Sequence, residues 1–308
     1  MARDLSYRSR SVRLIRPTGR YGARAPEALF LVSAIAQYVG ALIAIGLFAS
    51  VAPQTVAWFR AIGAAVALLI ISPGFWRGWS LTQLRSAAIF GVATAAMNLF
   101  FYLAIARIDL GKSVAIEFIG PILVAAWLTR TRRNAAALGI AVVGVVILGG
   151  TEITDNAWGL VFILAASAMW AIYIVVGATV ARLDRQMAGL GVGLGIGAVV
   201  LTPIGAPGSG LVWMAPGLLI AALATGVFSN AIGYGIDQIV LRAIPIRRFS
   251  VMLALLPATA VIMGWIWLGQ RPIAVEWLGI GLVLTALVIQ QRDVLSGQDP
   301  GRTTHQVP

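Results

Sequence analysis

SVAIEFIGPILVAAW, residues 113–127, is almost wholly apolar, yet it holds one carboxylate, Glu117, and one proline, Pro121. What this run is depends on its surroundings. The chain has 308 residues, of which 59% are hydrophobic and 11% charged, and its mean hydropathy is +0.90. A soluble domain carries about 25% charged residues, so this chain lacks the polar groups to cover a wetted surface. Charge-free apolar runs recur along its length, several exceeding the roughly 18 residues that mark a transmembrane helix. The composition predicts an all-α integral membrane protein.

Ten spans are predicted, at about 28–50, 54–73, 86–106, 113–129, 136–150, 158–180, 187–205, 214–236, 250–268 and 275–291. Pro53 divides the charge-free run 28–59, and the turn-forming group Pro203, Gly205, Pro207, Gly208, Gly210 and Pro216 divides the run 186–236.

The net charge of +12 invites a nucleic-acid reading, which topology removes. With the N-terminus in the cytoplasm and ten alternating spans, 19 of the 23 basic residues fall on the inner side. They include seven arginines before residue 28 and the loop residues Arg130, Arg132, Arg133, Arg242, Arg247 and Arg248. Arg107, Lys112 and Arg271 fall outside, and Arg60 lies within a span. That asymmetry is the positive-inside rule, so both termini are predicted to be cytoplasmic, in a cell membrane. The Arg-rich segment 1–27 reads as a cytoplasmic tail able to touch anionic headgroups, and 292–308 as a second one. The partners implied are the bilayer and a small-molecule substrate; a homodimer is compatible with the chain.

Composition also limits the chemistry. There is no cysteine, and the single histidine, His305, sits in the C-terminal tail. Thiolate chemistry and a histidine-based metal or catalytic site in the bundle are excluded. No metal or cofactor is expected, and a membrane enzyme would have only carboxylates to work with.

The chain repeats. With Pro121 aligned on Pro257, IDLGKSVAIEFIGP (108–121) runs without a gap against IPIRRFSVMLALLP (244–257). Upstream, NLFFY (98–102) faces NAIGY (230–234), and downstream LGIAVV (138–143) meets LGIGLV (278–283). This predicts two five-helix repeats, 28–150 and 158–291. Five is odd, so the second repeat inserts inverted. Inverted repeats point to alternating-access transport, with the site near the midplane.

On these residues the chain resembles an EamA-type member of the drug/metabolite transporter superfamily, closest to its threonine/homoserine exporter branch. The resemblance spans roughly 28–291. It rests on MNLFFYLAIARIDLGKSVAIEFIGPILVA (97–125), WAIYIVVG (170–177) and the stretch from Tyr234 through LRAIPIRRFSVMLALLPATA to WIWLGQRPI. Gln37 and Arg60 also fall where that branch has Gln and Arg. The resemblance implies a secondary transporter exporting amino acids or related small metabolites, proton-coupled. A lipid or polyprenyl-carrier flippase, or an exporter of another substrate class, is the alternative on the same scaffold. The family usually has Glu before the second proline and Gly-Glu at the end of the ninth helix; here those positions are Leu256 and Gln270.

The candidate site residues each carry two readings. Glu117, placed four residues into its span and so about 6 Å deep at roughly 1.5 Å per residue, can bind an ammonium group or exchange a proton. It can also belong to a structural ion pair. Pro121 removes the donor to the Glu117 carbonyl, which is either a polar break or a tolerated kink. Arg60 either snorkels outward or meets Glu117 or a substrate carboxylate. Asn98 with Tyr102, and Asn230 with Tyr234, place hydrogen-bonding groups on matching repeat faces, for substrate or for interhelical bonds. Gln37 forms such a face with Ser33. Trp170 and Tyr173 wall a cavity or serve packing. Asp237 and Glu276, near helix ends, are expected to be solvated at the interface. Gly189, Gly193 and Gly197, with Gly191 and Gly195, predict close helix packing.

Overall fold

The computed structural model describes residues 26–72, 78–129, 131–150, 156–180, 186–237, 240 and 255–296, all helix or short connection with no strand among them. Outside the described residues lie the predicted tail up to residue 25, the inner-loop residues Arg77, Arg130, Arg182, Arg185, Arg242, Arg247 and Arg248, and the loop 151–155. So do most of the second repeat arm, 241–254, and the tail from 297.

The first three helices are α1 (Pro26–Leu47), α2 (Pro53–Ile70) and α3 (Leu81–Ile105). Pro53 starts α2 at the first helical position, where its missing N–H costs nothing. Ser80 opens α3 with a capping box: Ser80 Oγ accepts from the Gln83 N–H at 3.2 Å, and Gln83 Oε1 accepts from the Ser80 N–H at 3.1 Å. Then follow α4 (Leu110–Glu117), α5 (Ile119–Thr129), α6 (Arg132–Gly150), α7 (Ala157–Val180) and α8 (Gln186–Gly205). A short α9 (Gly210–Met214) leads into α10 (Pro216–Gly226), which continues as a π-helical segment over Val227–Tyr234. The last two helices are α11 (Leu255–Leu268) and α12 (Ala274–Ser296).

Among the described residues, six apolar stretches are long enough to cross a bilayer: Ala28–Leu47, Pro53–Ile70, Leu81–Ile105, Ala157–Val176, Met187–Gly205 and Pro216–Asp237. Leu256–Leu268 and Ala274–Ile289 are shorter apolar helices. The outer faces of these elements are apolar: Val142, Val143 and Val146 of α6, Val199 and Val200 of α8, and Trp265 and Ile266 of α11 are all exposed. In water that surface would drive aggregation; in hydrocarbon it is the ordinary exterior.

The fourth span departs from expectation. It is two helices, α4 and α5, meeting at Phe118, and α4 begins at Leu110 rather than near 113. The early start has a physical cause in groups lent by other elements. Gln270 Oε1 accepts from the Leu110 N–H at 3.1 Å, capping α4 from the α11–α12 connection. Lys112, expected in an outer loop, is instead 7% exposed inside α4, and its Nζ meets Glu276 Oε1 at 2.9 Å. Glu276, expected at a solvated interface, is likewise buried at 6% exposure, and its other oxygen accepts from the Ile273 N–H at 3.0 Å. Glu117 therefore lies seven residues beyond the start of α4, about 10 Å at roughly 1.5 Å per residue, deeper than predicted.

α8 packs against both α2 and α3. The glycine ridges make this contact: a Cβ on Gly193 would stand 2.5 Å from the Ala87 carbonyl oxygen, and one on Gly197 would stand 2.7 Å from the Gly91 oxygen. Gly191 faces Leu68 and Leu69 of α2. Other neighbours are α3 with α7, α2 with α10, α1 with α10 and the π-helical segment, α4 with α11, α5 with α7, and α6 with α12.

Two outcomes follow from this packing. Glu276→Ala takes the nearer carboxylate from a buried ammonium and lowers stability by about 3–5 kcal/mol. Combining Lys112→Met with Glu276→Leu recovers most of that loss; thermal unfolding of purified protein in detergent measures both. Gly193→Val, which sets a branched side chain against the α3 backbone, lowers the midpoint in the same assay, whereas Gly281→Ala, where a Cβ meets nothing within 4 Å, leaves it near wild type.

Candidate functional site

Hydrocarbon cannot hydrogen-bond, so polar side chains inside a bundle turn toward one another or toward a polar cavity. Here they converge between α1, α2, α3, α4, α7 and the π-helical segment.

Arg60 on α2 is 6% exposed and does not reach outward to an interface. Its Nε donates to Asn230 Oδ1 at 2.8 Å, and its Cζ stands 4.9 Å from the centre of the Tyr102 ring. The face of that ring is electron-rich and attracts the cation. Close helix approach makes the first contact feasible: a Cβ on Gly226 would meet the Arg60 carbonyl, so only glycine lets the start of the π-helical segment lie directly on α2. Asn230 then follows one turn later. The terminal nitrogens of Arg60 make no hydrogen bond or ion pair among the described residues.

Glu117 ends α4 and is 7% exposed. Pro121, with no N–H, leaves the Glu117 carbonyl without its usual helical donor, and the chain turns at Phe118 before α5 begins. Gly120 packs on the Ser167 carbonyl of α7, and Trp170 meets Phe118 edge-on at 4.8 Å between ring centres. Glu117 interacts electrostatically with Arg60 and with Tyr38 of α1. No ion pair or hydrogen bond engages its carboxylate among the described residues. A direct structural ion pair between Arg60 and Glu117, one of the two sequence readings, is therefore not what the bundle forms.

Around these charges stand buried polar atoms without partners among the described residues: Tyr102 Oη, Asn98 Nδ2 and Asn230 Nδ2. Tyr234 interacts electrostatically with Arg60, Glu117, Tyr102 and Asp237. Tyr173 stands 6.4 Å from the Tyr234 ring and 4.7 Å from that of Phe90.

Toward the end of the π-helical segment lies a second polar group. Ser33 Oγ is 2.6 Å from Asp237 Oδ1 and 2.9 Å from the Gly233 carbonyl oxygen. Gln37 Nε2 donates to Ser33 Oγ at 3.1 Å and to Asp237 Oδ2 at 3.3 Å. The Ser229 hydroxyl donates to the Gln37 carbonyl at 2.9 Å. Asp237, expected to be solvated at an interface, is instead tied by side chains to α1.

Of the residues singled out in the sequence, Gln37, Arg60, Tyr102, Glu117, Tyr173, Asn230 and Tyr234 come together. Asn98 is buried one turn from Tyr102 but makes no recorded bond to the group. Trp170 borders the α4–α5 break rather than the charges. The sequence reading missed Tyr38 and Asp237. Asp237 had a signal: Asn230, Tyr234 and Asp237 are spaced i, i+4, i+7, one face of a helix. Tyr38 had none, since adjacent residues on a helix face different directions. Leu256, at a position where the family usually has Glu, is buried in the core.

Residues 157–290 match the EamA-like transporter family. The threonine/homoserine exporter RhtA of Escherichia coli strain K12 is 31% identical over 266 residues, covering 85% of this chain and 89% of the exporter. The threonine/homoserine exporter RhtA of Salmonella typhimurium strain SL1344 aligns with the same identity and coverage. A solved crystal structure with 17% identity superposes with a TM-score of 0.56 over 90% of this chain and 99% of that one, a likeness of fold alone. The chain therefore belongs to the EamA-like transporter family, on the branch of these exporters, and is a multi-pass membrane transporter rather than an enzyme.

Proposed function

We propose that this protein exports a zwitterionic amino acid, such as threonine or homoserine, by proton-coupled alternating access, with both termini in the cytoplasm. The observation that carries the reading is the pair Arg60 and Glu117. They are a basic and an acidic group in the bundle interior that act on each other while the Arg60 terminal nitrogens and the Glu117 carboxyl keep their own bonding capacity. An amino acid presents the complementary pair on one carbon. Its carboxylate suits the guanidinium fork, and its ammonium group suits Glu117. Tyr102, Asn98 and Asn230 supply further donors for side-chain hydroxyl or carbonyl groups, and Tyr173 and Tyr234 supply aromatic walls. The exporters of Escherichia coli and Salmonella typhimurium to which the chain is similar carry such substrates in their names.

Helix packing supports the inverted five-helix repeats, 28–150 and 158–291. α1, α2, α3, the α4–α5 pair and α6 correspond in this scheme to α7, α8, α10 with the π-helical segment, α11 and α12. Contacts then come in matched sets: α3 meets α7 as α10 and the π-helical segment meet α1, and α3 meets α8 as they meet α2. α5 meets α7 as α11 meets α1, and the self-paired contacts α2–α8, α4–α11 and α6–α12 are all made. Two such halves rocking about a shared centre give alternating access. Within that scheme Arg60, Glu117 and their neighbours lie where both halves meet.

Counterflow in proteoliposomes loaded with a panel of amino acids tests the reading. Threonine or homoserine exchanges above empty vesicles in the wild type. A flippase on this scaffold would leave every amino acid at the empty-vesicle level. Glu117→Gln, which keeps shape and removes charge, abolishes exchange. Arg60→Lys loses the fork geometry, weakening half-saturation by about 10-fold or more, as expected for roughly 1.5–3 kcal/mol of charge-assisted hydrogen bonding.

A further inference from the structure

The Ser33–Asp237 group contains a donor shortage. Ser33 Oγ lies within bonding distance of two acceptors at once, Asp237 Oδ1 at 2.6 Å and the Gly233 carbonyl oxygen at 2.9 Å. A serine hydroxyl has one hydrogen and can donate it to only one of them. Gln37 does not relieve the shortage, because its two amide hydrogens go to Ser33 Oγ and Asp237 Oδ2. Ser33 is itself fully buried, so no bulk water intervenes between its Oγ and either acceptor. If Asp237 is ionised, two acceptors face one hydrogen. If Asp237 carries a proton on Oδ1, every contact is satisfied in one direction: Asp237 Oδ1–H donates to Ser33 Oγ, and Ser33 Oγ–H donates to the Gly233 carbonyl. The 2.6 Å separation is also that of a strong O–H···O bond.

We propose that Asp237 is a proton-binding site, and that its proton controls how α1 is fastened to the π-helical segment. Protonation adds one hydrogen at Oδ1 of Asp237, which is half-buried at the end of the apolar stretch Pro216–Asp237. The Ser33 hydroxyl then points at Gly233. Loss of that proton turns the Ser33 hydroxyl to the carboxylate and releases the Gly233 carbonyl, inside a π-helical segment that also carries Asn230 and Tyr234. π-helical turns are local irregularities that recur at functional sites. The proton is thus linked through three residues of one element to the atom that holds Arg60 Nε.

The groups that face Asp237 are consistent with this role. α1 contributes Ser33 and Gln37, both neutral. Tyr173 of α7 and Tyr234 interact with it electrostatically, and neither is cationic. From α8 the neighbour of this turn is Met187, beside Gly235. Arg60 is engaged with Asn230 and Tyr102 instead. Among the described residues, no cation is paired with Asp237.

As the coupling site of the transporter, Asp237 rests on the export reading above; as a proton site it stands independently, and the experiment separates the two. pH-difference infrared spectroscopy on purified wild-type protein in nanodiscs, without substrate, reads protonated carboxyl groups directly. A carboxyl C=O band that disappears on alkalinisation is expected, lost in Asp237→Asn and shifted in Ser33→Ala. A wild type without that band, or an Asp237→Asn variant that retains all of it, overturns the proposal. Should Asp237→Asn fail to insert, an unmoved band in Ser33→Ala overturns it equally. In proteoliposomes, Asp237→Asn loses the stimulation of counterflow by a pH gradient, whereas a variant still stimulated as wild type contradicts the coupling role. Absence of amino-acid exchange in the wild type would defeat the export reading and leave the infrared result standing.

Discussion

A guanidinium in hydrocarbon has to be surrounded by groups that the protein itself supplies, and the interior of this bundle is organised around meeting that requirement at Arg60. Gly226 brings the π-helical segment onto α2, Asn230 accepts the Nε–H, and Tyr102 gives its ring face. Glu117 is the acidic group that acts on it from across the bundle. None of these groups closes a tight ion pair with Arg60. A closed pair would satisfy both charges permanently, and a substrate would then have to break it. In the proposed function, the two groups, held apart, remain available to a molecule that carries both signs.

The position of Glu117 depends in turn on devices at the far end of its helix. α4 is only eight residues long and is broken from α5 beside a proline. Such a short helix is marginal by itself. Its first N–H is capped by Gln270, and its first turn is tied to α12 through Lys112 and Glu276. Gln270 stands where the family usually has a carboxylate, and a neutral amide oxygen is sufficient for that cap. These contacts come from α11, α12 and their connection, so elements far along the chain fix the helix that presents Glu117.

The membrane class, most helix positions and most of the site were legible in the sequence because hydropathy and i, i+4 spacing are local signals. Pro53, the glycine ridges of α8 and the pairs Asn98–Tyr102 and Asn230–Tyr234 were readable in that way. What escaped was set by contacts between distant residues. Lys112 and Glu276 each read as loop or interface residues when taken alone, and only their pairing across 164 positions makes burial tolerable. The spacing of Asn230 and Tyr234 gave no sign of a π-helical segment. Asp237 looked like an ordinary helix-end acid until Ser33 and Gln37, about two hundred positions away, were found beside it.

The central claim is that the site recognises both charges of one small molecule. Competition in the counterflow assay measures this directly, using the transported amino acid with its carboxylate converted to an amide, and separately with its amine acetylated. The account predicts that neither derivative competes at concentrations where the parent amino acid saturates. Undiminished competition by either one would contradict it.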